Sequence, residues 1–333
     1  PPRWLRNPHL QSMLSSSSLR RAALRRRAQL VAQVTRAEVL HLDAGVRLQG
    51  FHSVQQALPQ RHGLVLLLHG WEGSADSNYM QATSACLLRA GYDVYRLNFR
   101  DHGDSHALNV EPFHSCRLDE VAAAAAQVCA RPGAGLRAIA GFSLGGNFAL
   151  RVARAAPARG IELDYAWRCA RWSIRPRACA NSNRAAFITL TSCASGAPRC
   201  AASRCCFRRA RWCRARMALN MRGLTRALVL RYTEFGTLEA YLDGYSIAGD
   251  RLAALQVPAT ILTAADDPVI PVADFRAMQL PDCVELDIAA HGGHCGFLTG
   301  ACLHSFVEGY LIARLHARAA AQALTPPQAA RRA

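Results

Sequence analysis

The chain has 333 residues, 51% of them hydrophobic, which is ample for a buried core, and a formal net charge of +17 from 40 basic and 23 acidic residues. Its apolar runs are strand-length. A bilayer-spanning helix takes about 20 residues, so none of these runs is long enough for one, and the absence of a secretory apolar segment favours the cytoplasm. The charge does not point to nucleic acid, because twelve arginines without one acid crowd into residues 167–216 and the remainder of the chain is close to balance.

Every basic residue is arginine, and the skew suggests a GC-rich, bacterial coding sequence. A chain of this length is expected to form a single domain, 1–333, with an insertion. Residues 1–35 read as an N-terminal arm, with Ser15–Ser18 and the run Arg25-Arg26-Arg27 on a solvated face. Strands are expected at 37–42, 46–52 and 64–69. The third is Leu64-Val-Leu-Leu-Leu, which runs into His69-Gly70-Trp71-Glu72-Gly73. A helix at 79–90, a strand at 93–98, a helix at 116–130 and a strand at 136–141 follow. At Gly141-Phe142-Ser143-Leu144-Gly145-Gly146 a G-x-S-x-G turn opens onto a helix at 145–156. Ile161 to Ala166 begins a sixth strand, and residues 167–248 occupy the position of a lid. Beyond them come strands at 258–264 and 283–289, helices at 272–278 and 302–318, and a disordered tail at 325–333. Strands alternating with helices predict a mostly parallel central sheet with helices on both faces.

A serine between glycines on a strand-to-helix turn sits on a strained elbow with its hydroxyl pushed out above the sheet. Such a hydroxyl becomes a nucleophile only when a base takes its proton. A histidine supplies the base, and a carboxylate fixes its tautomer. The α/β-hydrolase fold orders these groups as nucleophile, acid, histidine. After Ser143 the chain offers Asp266-Asp267-Pro268 and then His291-Gly-Gly-His294, each just past the carboxyl end of an expected strand. His294 is the candidate base, with His291 as runner-up. Asp267 is the candidate acid, with Asp266 as the alternative. Main-chain N–H groups of Trp71 and Leu144 are the candidate oxyanion donors. This chemistry requires no metal and no organic cofactor.

Together with Asn7-Pro8-His9-Leu10-Gln11, N-F-R-D-H-G-D-S at 98–105 and H-G-G-H-C-G-F at 291–297, these motifs resemble the YheT-like family of α/β-hydrolases. The resemblance spans residues 3 to about 165 and about 217 to 315. It implies a serine hydrolase acting on a small-molecule acyl ester, with Ser143, Asp267 and His294 at the family's catalytic positions. Peripheral contact with lipid is compatible with it.

Residues 167–216 hold seven of the thirteen cysteines as well as the arginines, at spacings that fit no zinc pattern. A shifted reading frame accounts for them. With Trp167 and Trp172 fixed as TGG and permitted codons between, one added G re-reads the segment as V-A-V-C-P-V-V-D-P, a buried strand and loop. The window is therefore expected to be poorly ordered, with the sixth strand interrupted after Ala166. Two other readings stay open: an α/β-hydrolase scaffold impaired by a damaged lid, and polyanion binding through the arginine window.

Overall fold

In the computed structural model, residues 1–169 and 221–324 are described. Most of the expected lid and of the arginine window, 170–220, and the tail 325–333 lie outside the described residues, and with them the expectations of poor order and of a shifted frame.

Eight strands form one sheet: β1 (Thr35–His41), β2 (Arg47–Ser53), β3 (Gly63–Leu68), β4 (Tyr92–Leu97), β5 (Leu136–Phe142), β6 (Tyr165–Cys169), β7 (Ala259–Ala264) and β8 (Val284–Ala289), in the order β1-β2-β4-β3-β5-β6-β7-β8. β1 with β2 and β2 with β4 are antiparallel, and all other neighbours are parallel. A parallel strand covered on both faces reads as an apolar run, most plainly in β3, where Gly63–Leu68 is buried throughout. In β3, Leu64, Leu66 and Leu68 pack into one core with α5 (Leu118–Cys129) and α6 (Leu144–Ala155). Val65 and Leu67 pack into the other, with α3 (Arg25–Gln33), α4 (Asn78–Arg89) and α10 (Phe306–Leu324). The period-two alternation of Cβ directions divides one apolar run between two layers of helix.

Three differences from the sequence reading have physical causes. The arm is helical: α1 (Pro8–Ser15), α2 (Ser18–Ala23) and α3 follow a 3-10 turn at Arg3–Leu5. Asn7 caps α1 by accepting from the His9 and Leu10 N–H groups, and Ser17 caps α2 through Arg20 N–H. Within the arm Arg25 and Arg26 are exposed as expected, but Ser15, expected on the solvated face, is buried, and Arg27 reaches Glu308 at 3.4 Å. Second, β6 does not stop at Ala166. Trp167, Arg168 and Cys169 continue it, fully buried, between β5 and β7. Third, α10 starts at Phe306 rather than 302, because Leu298 bridges Ser305 and the residues between them form a turn in which Leu303 N–H donates to Gly300 O at 3.0 Å.

Between β6 and β7 the described part of the insertion contains α7 (Met221–Tyr232) and α8 (Leu238–Gly244). Tyr241 donates from its hydroxyl to Ser115 Oγ at 3.0 Å, and Asn147 Nδ2 donates to Tyr245 O at 2.9 Å. These bonds seat α8 on the body of the domain. α9 (Val272–Arg276) follows β7.

Candidate active site

Ser143 stands between β5 and α6 with φ 51° and ψ −115°, a left-handed conformation that costs a non-glycine residue energy and persists only where its surroundings hold it. Two bonds hold it here: its N–H donates to Cys169 O at 2.9 Å, and its carbonyl accepts from Asn147 N–H at 3.1 Å. The glycines are required by close approach. A Cβ on Gly145 would lie 2.2 Å from Leu68 O, and one on Gly141 would lie 2.2 Å from the carbonyl of Gly145.

The three side chains picked out by the sequence meet at the carboxyl ends of β5, β7 and β8. Ser143 Oγ lies 2.9 Å from His294 Nε2, and His294 Nδ1 lies 3.0 Å from Asp267 Oδ2 and 3.3 Å from Oδ1. The Asp267 carboxylate is fully buried and also accepts from Val269 N–H at 2.8 Å and Ile270 N–H at 3.2 Å, which fixes it in the turn around Pro268. Burial draws the His294 pKa down, but the Asp267 carboxylate and the Cys295 thiol outweigh it and raise the ring to about 9.

The runner-up residues form a different set. Asp266 accepts from the Gly292 and Gly293 N–H groups at 3.0 and 2.9 Å and pairs with His291 Nδ1 at 3.3 Å. It anchors the loop that carries His294.

The loop after β3 lies against Ser143, since a Cβ on Gly70 would be 3.4 Å from Ser143 Cβ. His69 ties this loop to the end of β4. Its Nε2 accepts from Phe99 N–H at 3.1 Å, so Nδ1 carries the proton and donates to Gly70 O at 2.7 Å. Burial, with His102 beside it, pushes its pKa well below the usual histidine value and keeps the ring neutral. Trp71 is half-buried beside the core, and Leu144 is the first residue of α6. The opening N–H groups of a helix have no partner within it and carry its positive dipole end. Among the described residues no group of three or more His, Cys, Asp or Glu side chains could hold a metal.

Two residues absent from the sequence candidates touch the histidine loop. Ser12 Oγ accepts from His294 N–H at 2.9 Å, and Gln11 Oε1 accepts from Leu298 N–H at 2.7 Å. Their only signal in the sequence was Gln11's place at the end of the N-P-H-L-Q motif.

With this geometry in place, comparison with known proteins decides the architecture. A sequence model for the alpha/beta hydrolase fold matches residues 63–159, from β3 through α6. The chain has the α/β-hydrolase fold. Solved hydrolase structures overlay most of it at low identity. Brefeldin A esterase, a bacterial homologue of human hormone sensitive lipase, aligns with TM-score 0.55 and 15% identity over 92% of this chain and 88% of its own. The 2,6-dihydroxy-pseudo-oxynicotine hydrolase gives 0.55 and 15% over 90% and 72%. An esterase of Pyrococcus furiosus gives 0.52 and 14% over 85% and 91%. At these identities the likeness is one of fold. No curated protein matches the sequence. The expected doubly covered, mostly parallel sheet is thus the hydrolase sheet. Among the described residues no helix is long and apolar enough to cross a membrane.

Proposed function

We propose that the chain is a serine hydrolase of carboxylic esters, with Ser143 as nucleophile, His294 as base and Asp267 as its orienting acid. The carrying observation is the linear hydrogen-bond chain from Ser143 Oγ through His294 to Asp267, at 2.9 and 3.0 Å. In this reading neutral His294 Nε2 takes the Ser143 proton as Oγ attacks the acyl carbonyl. Main-chain N–H groups of Leu144 and Trp71 receive the oxyanion. The tetrahedral adduct collapses as the imidazolium returns the proton to the departing alkoxide, which leaves an acyl-Ser143. Water, deprotonated by the same histidine, then releases the acid. The names of the overlaid esterases support an ester substrate, and the N-P-H-L-Q and G-F-S-L-G-G-N motifs support placement beside the YheT-like hydrolases. A small acyl ester and a cytoplasmic setting complete the proposal.

A fluorophosphonate probe tests it. The purified chain should take up one label on Ser143, and Ser143→Ala should take up none. Equal labelling of the variant, or no labelling of the intact chain, would remove the assignment and leave a hydrolase-fold scaffold without turnover.

A further inference from the structure

The loop that presents His294 is held from outside the hydrolase core. α1 lies against it so closely that a Cβ on Gly293 would come 2.4 Å from Pro8 O, and one on Gly296 would come 2.7 Å from Gln11 O. Gly293 also has φ +55°, which disfavours a side chain, and the approach of the Pro8 carbonyl leaves no room for one. Gln11 is fully buried and grips Leu298 from both sides of its peptide. Its Oε1 accepts from Leu298 N–H at 2.7 Å, and its Nε2 donates to Leu298 O at 3.1 Å and to Leu5 O at 2.8 Å. At the next residue, the Ser12 hydroxyl donates to Pro8 O at 2.7 Å and so turns a lone pair to His294 N–H, with which it bonds at 2.9 Å. The side chain of His294 is aimed by Asp267, while its main chain is held by α1.

We infer that Ser12 is a positioning residue for His294, with Gln11 as its support, so that the N-terminal arm sets the reach of the base toward Ser143. This rests on the reading of Ser143 and His294 given above. Ser12 touches neither substrate nor the reacting atoms. It acts on the backbone from which the imidazole hangs, and displacements well below 1 Å at that point matter because a misplacement of about 1 Å can cost about 100-fold in rate.

The experiment compares Ser12→Ala, which removes the acceptor, with Ser12→Thr, which keeps it. Gln11→Ala serves as a second perturbation of the same contact. Hydrolysis of a p-nitrophenyl ester is followed together with Tm and with the titration of the His294 ring by NMR, assigned by difference from His294→Gln. Ser12→Ala should lower kcat about tenfold with KM nearly unchanged, move the His294 titration away from that of the intact chain, and leave Tm within a few degrees. Ser12→Thr should restore kcat and the titration. Unchanged kcat and an unchanged His294 titration in Ser12→Ala, with only Tm lowered, would overturn the inference and make the contact a plain structural one. Because the titration needs no turnover, a chain that hydrolyses nothing but still shows the Ser12-dependent shift would refute the hydrolase reading and leave the positioning role standing.

Discussion

Asp266 and Asp267 are adjacent in sequence and serve different parts of the site. Asp267 meets His294 Nδ1 at 3.0 Å, while Asp266 turns the other way and takes the N–H groups of Gly292 and Gly293. One carboxylate aims the imidazole, and its neighbour ties down the loop from which the imidazole projects. Removing the two charges should therefore give different losses. Asp267→Asn should lower kcat by about 10⁴ while the fold survives, the usual effect of a wrong histidine tautomer. Asp266→Asn should chiefly lower Tm, since charge-assisted bonds to two backbone N–H groups become neutral ones. Ester kinetics and melting of both variants check this, and the opposite pattern would exchange the two roles.

The alkaline displacement of His294 predicts the shape of the pH profile. Only the neutral ring can accept the Ser143 proton, and its pKa is raised to about 9. For an uncharged ester, kcat/KM should therefore rise with pH through about 9. The same shift stabilises the folded chain. That contribution is fully present below the ordinary histidine value of 6.5 and is lost as pH rises through about 9, so activity should grow where this part of the stability declines. A profile flat from pH 7 to 10 would contradict the environment described for His294.

Gly145→Ala should be damaging in a way its small size does not suggest. Its Cβ would fall 2.2 Å from Leu68 O and 2.5 Å from His69 O, and both are backbone atoms. Overpacking of this kind costs about 1–3 kcal/mol or more and would push the elbow away from the loop after β3. Gly300→Ala, where a Cβ meets nothing within 4 Å, is the control and should change stability by no more than about 0.5 kcal/mol. Urea melts and probe labelling of the pair separate the outcomes. Equal melts would mean that the elbow and the end of β3 are not packed as described.

Arg20 and Glu308 form a buried ion pair at 3.0 Å that joins α2 to α10. Glu308→Leu should cost about 3–5 kcal/mol, because it leaves the Arg20 guanidinium buried without its counter-charge. Arg20→Met combined with Glu308→Leu should recover most of that loss. Chemical denaturation of the single and double variants measures both, and additive losses in the double variant would show that the two residues are not coupled.

The strands were legible because burial on both faces leaves apolar runs such as Leu64–Leu68, and a run broken only by Arg137 at Leu136–Ala140. The serine elbow was legible because Gly141 and Gly145 are dictated by local close approach, which a short motif records. What escaped was settled by residues distant in the chain. The arm reads as serine- and arginine-rich, yet Gln11 finds its partner at Leu298 and Arg20 finds its partner at Glu308. Burial of Trp167, Arg168 and Cys169 comes from β5 and β7 on either side, which no local pattern around those residues announces.

The bond between Ser12 and His294 closes a separation of 282 residues. A chain lengthening on the ribosome therefore adds 282 residues after Ser12 before the residue it must grip has emerged. Helix α1, short and weakly stable by itself, would spend that time without its docking surface. The sheet from β3 through β6 can gather earlier around nearer contacts. Ser143 would thus be in place long before the loop that carries His294 is docked, and the proposed pairing of the two would wait on a contact that spans 282 residues.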